Sequence, residues 1–81
     1  MGHLIVIRAT WDQEANVWVA ESSDLPGLIT EASSLDELDR KLPGLIQDLY
    51  ENGDGDDSEV DIPIEVIASF SKTIRARPRA A

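Results

Sequence analysis

An α+β fold, a two-layer β-β-β-α-β sandwich, is expected from three patterns in this 81-residue chain. Short runs with apolar residues at every second position recur at the start, separated by turn residues. One long run then carries leucines at spacings of three and four, the period of a helix packed on one side. A final alternating run follows an Asp- and Gly-rich loop. The length suits one domain near the small end of what folds without disulfides or metal.

The first strand lies within His3–Thr10, HLIVIRAT. Leu4, Val6 and Arg8 face one way and Ile5, Ile7 and Ala9 the other, so both faces are apolar near the middle, as in a central strand. Trp11–Asn16 is a polar connection of hairpin length, with Asn16 able to take a left-handed backbone. Val17–Ser22 is the second strand, with Trp18 and Ala20 on one face and Val17, Val19 and Glu21 on the other. Asp24-Leu25-Pro26-Gly27 follows. Its proline and glycine suit the two central positions of a type II turn. Leu28–Ala32 resumes the extended pattern as the third strand.

Ser33 and Ser34 offer N-caps, and Ser34-Leu35-Asp36-Glu37 has the spacing of a capping box. The helix is expected from about Leu35 to Glu51, its core stripe formed by Leu35, Leu38, Leu42, Leu45, Ile46 and Leu49. Pro43 removes the amide that would bond residue 39, so a kink or a break is expected there. The last strand is read within Val60–Phe70, with Ile62, Ile64 and Val66 on one face and a bulge or change of face near Ile67. Pro63 points to an edge position. A right-handed crossover sets this strand beside the first and parallel to it, giving the sheet order 3-2-1-4. The sheet is mostly antiparallel, with the kinked helix on one face. Residues 1–71 form the domain, and residues 72–81 form a basic, flexible tail.

The words of this stretch carry a resemblance. A strand with Val17-Trp18-Val19-Ala20, then Asp24-Leu25-Pro26-Gly27-Leu28, then Thr30-Glu31-Ala32 and Ser34-Leu35-Asp36-Glu37-Leu38 opening a helix, resembles the HicB-like superfamily. Trp11-Asp12 and Lys41-Leu42 are most similar to a small single-domain subfamily of unassigned function. The resemblance covers roughly residues 4–70. It implies a bacterial, self-associating domain of the kind that neutralises HicA-type ribonucleases. Full HicB-type antitoxins often add a C-terminal DNA-binding module, and no segment of this sequence matches one.

Charge narrows the function classes. The formal net charge is −9, yet Lys72, Arg75, Arg77 and Arg79 supply four of the seven bases. Residues 1–71 hold all 16 acids and three bases, a net of −13. Such a body repels phosphate backbones, so direct nucleic-acid binding by the folded part is not expected. It attracts a basic partner instead. Cysteine is absent, which excludes disulfides and thiolate metal sites. The longest apolar run, Leu4–Ile7, is too short for a membrane span. A cytoplasmic location is expected, with no membrane partner.

No catalytic residue, cofactor or metal site is assigned. His3, in a Met1-Gly2-His3 start, has no positioned nucleophile beside it. An EF-hand register on the acidic loop fails: counted from Asn52, Asp57 stands where glycine is needed and Pro63 where the bidentate acid is needed. Asp12, Glu14, Asp24, Asp36 and Glu37 fall at turns or a helix start, where carboxylates serve conformation and the helix dipole. The chain is therefore read as a non-enzyme. Candidate partner-binding residues are Asp54, Asp56, Asp57 and Glu59 in the acidic loop, with Trp11 as an exposed aromatic. One helix covers one face of the sheet, so Ile5, Ile7, Val17 and Val19 are expected on the open face as a homodimer or higher-oligomer interface.

Overall fold

The computed structural model describes residues 4–51 and 61–79, and for residue 51 the backbone alone. Four strands and one helix follow in the order β1 (Ile5–Asp12), β2 (Val17–Glu21), β3 (Ile29–Ala32), α1 (Leu35–Glu51) and β4 (Ile64–Ser69). The sheet order is β3-β2-β1-β4, with β1 antiparallel to β2, β2 antiparallel to β3, and β1 parallel to β4. This is the expected topology.

Turn chemistry explains the connections. Asn16 takes φ 58° at the β1–β2 hairpin. The Asp12 carboxylate accepts from the amides of Glu14 and Ala15, an Asx turn that tightens it. Between β2 and β3 the Leu28 amide donates to the Leu25 carbonyl at 3.1 Å. Pro26 and Gly27 therefore occupy the two central positions, and Gly27 has the φ of 90° that a type II turn requires. Beyond the end of β2, side chains continue the ladder. The Val6 amide donates to Asp24 Oδ2 at 2.9 Å, and Ser22 Oγ donates to the Val6 carbonyl at 2.7 Å. Asp24 thus satisfies a central-strand amide that the departing chain would otherwise leave unpaired.

The helix starts as its sequence dictates. Ser34 Oγ accepts from the Glu37 amide at 3.0 Å, the forward half of the capping box. The return half is displaced by one residue, because Ser33 Oγ donates to Glu37 Oε2 at 2.8 Å. Pro43 does not break α1, which runs unbroken through it. Asp39 and Pro43 are both exposed, so the carbonyl deprived of its donor faces water.

The core consists of Ile5, Ile7, Ala9, Ala20, Leu28, Ala32, Leu38, Leu42 and Ile46, with Trp18, Leu25, Leu45, Leu49 and Ile62 packed around it. Each large aliphatic buried there contributes roughly 1.5–3 kcal/mol. The β1–β2 register opposes Ala9 to Ala20 and Trp11 to Trp18, which sets the odd positions of β1 on the helix side. The expectation that Ile5 and Ile7 lie on the open face is therefore corrected: they are 2% and 0% exposed, beneath α1. Val17 and Val19 oppose Asp12 and Thr10 and do lie on the open face, half-buried.

The helix does not cover the sheet evenly. An α-helix is about 10 Å across with its side chains, and strands are spaced at about 4.8 Å, so one helix shields little more than two strands. Lys41 Nζ donates to the Glu31 carbonyl of β3 at 2.7 Å, holding α1 toward that side. At the other side β4 is paired along its length to β1 yet exposed at every residue. Its register runs without interruption from Ile5–Ile64 to Thr10–Ser69, so the bulge expected near Ile67 is absent. Ile67 faces the open side simply because it follows Val66 by one residue. Beyond Ser69 the chain continues as an extended, wholly exposed arm through Arg79. The molecule measures 68 × 25 × 19 Å.

Candidate functional site

At the end of the sheet where β1 stops and α1 begins, three elements frame an open groove of about 640 Å³. Trp11 and Trp18, opposed across β1 and β2, form its floor. Their rings meet edge to face, with centroids 5.3 Å apart and planes at 63°, a favourable aromatic geometry. Ser33, Ser34, Leu35 and Asp36 form one wall, and Phe70, Ser71 and Lys72 the other. Trp11, expected to be an exposed aromatic outside the strands, instead belongs to β1 and is half-buried against Trp18.

Electrostatics at the helix start are conformational. Glu37 is held below the ordinary carboxylate range, chiefly by the hydroxyl of Ser33, with smaller help from the Ser33 amide and from Lys41 and Arg40. Lys41 Nζ stands 3.7 Å from Glu37 Oε1. The Ser33 and Ser34 hydroxyls are both engaged with Glu37, one donating to its carboxylate and the other accepting from its amide. Among the described residues no group of three or more His, Cys, Asp or Glu converges to hold a metal ion. No buried side-chain oxygen or nitrogen among them lacks a partner. The groove offers apolar contact from two indoles set at an angle to one another.

A second surface is the open sheet face, where Val6, Val17 and Val19 are half-buried and Ile29 and Ile67 exposed. Arg8, Glu21, Glu31 and Glu65 lie on the same face by register. A third runs along β4 and the arm, where Ile64, Val66, Phe70 and Ile74 are 37%, 40%, 67% and 72% exposed. The acidic-loop residues Asp54, Asp56, Asp57 and Glu59, and His3, lie outside the described residues. Val17 and Val19 stand on the second surface, Trp11 in the groove, and Ile5 and Ile7 in neither.

The third surface was not singled out from sequence. Its signal was present in Ile64-Glu65-Val66-Ile67-Ala68-Ser69-Phe70, where Ile64, Val66, Ala68 and Phe70 make one face continuously apolar and Ile67 adds one apolar residue to the other. Among the described residues no helix is long and apolar enough to cross a membrane.

Comparison with known proteins gives the family without a task. No curated protein matches. Among solved structures the chain is similar to hypothetical protein TTHA1013 from the extremely thermophilic bacterium Thermus thermophilus. The two are 38% identical, with a TM-score of 0.63 over 89% of this chain and 97% of that one. Residues 4–79 match the family described as Domain of unknown function (DUF1902). Strands, helix and arm all fall within that span, and the chain belongs to the DUF1902 family.

Proposed function

We propose that this chain is a non-catalytic protein-interaction domain of HicB-like type that binds a small basic protein and masks its working face. The partner chemistry that fits best is a HicA-like ribonuclease, whose RNA-binding surface must be basic. The observation that supports the reading is the uncompensated acidity of the body. Residues 1–71 carry a net of −13. Asp36, Asp39, Asp48, Glu14, Glu21 and Glu31 are all exposed, and among the described residues the ion pair formed is Glu37–Lys41. Unpaired surface charge of one sign steers an oppositely charged partner and repels nucleic acid.

The test is co-expression with a small basic protein encoded beside this one. The expected result is a complex that purifies intact at low salt, weakens as salt is raised, and suppresses RNA cleavage by the partner. Absence of any such neighbour, or cleavage unaffected by a stoichiometric amount of this chain, overturns the reading. A second reading, a self-associating structural domain with no toxin partner, is favoured by one observation: the uncovered apolar strand at β4.

A further inference from the structure

The strand β4 stands at an edge of the sheet and carries an apolar face that α1 does not cover. Ile64, Val66 and Phe70 fall on its helix side and Ile67 on its open side, and all four are exposed. Natural edges are shortened, bulged or charged to prevent pairing. Here the ladder has no bulge. Residues 64–77 contain neither proline nor glycine, with Pro63 and Pro78 bounding the run. An extended run of this length spans roughly 45 Å, against a molecule 68 Å long and 25 and 19 Å across. The arm residues Phe70–Arg79 are exposed throughout and carry Lys72, Arg75, Arg77 and Arg79 with no acid.

We propose that residues 64–76 pair antiparallel with the same segment of a second copy, about a two-fold axis at Phe70, joining two four-stranded sheets into one of eight. In an isologous pair each contact is made twice. A two-fold at Phe70 sets Val66 opposite Ile74 and Glu65 opposite Arg75, on opposite faces of the sheet. On the helix side Val66 then meets Ile74 and Ile64 meets Ala76, with Lys72 beside Ala68, and on the open side opposite charges meet. Each basic arm also crosses the acidic body of its neighbour, which offsets the repulsion between two bodies of net −13. The proposal stands independently of the basic-partner reading, since it concerns a different partner and a different surface.

The absence of cysteine makes the register directly testable. Opposed residues of an antiparallel pair have Cα atoms about 4.5–5.5 Å apart, within disulfide reach. Phe70→Cys is expected to give a disulfide-linked dimer under mild oxidation, while Asp48→Cys, on the exposed side of α1, does not. Light scattering of the unmodified full chain is expected to give twice the chain mass of 8.9 kDa. Ending the chain after Ser69 is expected to return the mass to that of one chain, with the circular dichroism of the fold retained. A full chain that is monomeric at tens of micromolar overturns the proposal. So does a truncated chain that remains dimeric, which moves the interface to the open face around Val17 and Val19. Equal cross-linking at positions 70 and 48 overturns the register.

Discussion

The two edges of the sheet differ in how they are closed. β3 has four residues, lies on the side to which α1 is held, and is tied to the helix by Lys41 on the Glu31 carbonyl. Of its inward residues, Ala32 is buried and Thr30 half-buried. β4 has six residues, continues into a long arm and buries none of its side chains. The same sheet thus has one edge finished by its own helix and one left apolar. The difference follows from counting strands: one helix cannot shield four.

Core truncation should separate the two sides most sharply. Leu38→Ala or Leu42→Ala, each 1% exposed under α1, is expected to cost about 2–5 kcal/mol in urea unfolding. Val66→Ala in the chain ended after Ser69 should cost under about 1 kcal/mol, because its side chain is already partly in water. A cost at Val66 equal to that at Leu38 in the truncated chain would erase the distinction. In the full chain the Val66 cost should grow, by the amount that pairing with a second copy contributes.

The loop that finishes the closed half comes next. Gly27→Ala forces a side chain into φ 90° and brings its Cβ to 3.4 Å from Leu49 Cδ2. A loss of about 1–2 kcal/mol is expected, dominated by backbone strain. Asp24→Ala removes the acceptor for the Val6 amide and should cost about 1 kcal/mol. Hydrogen exchange at that amide should rise while exchange at Ala9 remains slow. A Val6 amide as protected as before would remove Asp24 from the ladder.

The smallest effect concerns pH. Glu37 titrates below its ordinary range because of Ser33. Its contribution to stability is therefore present above the ordinary carboxylate pKa and is lost as pH falls through the lowered folded-state value. Ser33→Ala should move the Glu37 titration, followed by carboxyl NMR, up toward the ordinary range and flatten the acid limb of stability. An unchanged Glu37 titration would assign the shift to the Ser33 amide, Lys41 and Arg40 instead.

Much of this architecture was legible from local chemistry. Pro26-Gly27, Asn16, Ser34 and the leucine spacing each have one low-energy use, and the observed turns, cap and helix follow them. The groove was half legible. The alternation puts Trp18 on one face of β2 with Ala20, whereas the polar neighbours Asp12 and Gln13 read as a connection that takes in Trp11. The pairing of Trp11 with Trp18 extends the strand past that polarity, since two indoles in contact gain more than a two-residue loop would.

The order of elements, the turn types and the sheet order 3-2-1-4 were determined by the sequence alone, because proline, glycine, caps and helical period act within a few residues. The face of β1 that receives the helix was decided only by tertiary structure. Leu4 and Val6 rival Ile5 and Ile7 in apolarity, so a period of two cannot choose between the faces. The register of Ala9 against Ala20 chooses, since small residues on both strands let α1 approach. Tertiary structure alone also revealed that β4 is uncovered, for the reach of a helix across a sheet depends on its width and not on its sequence.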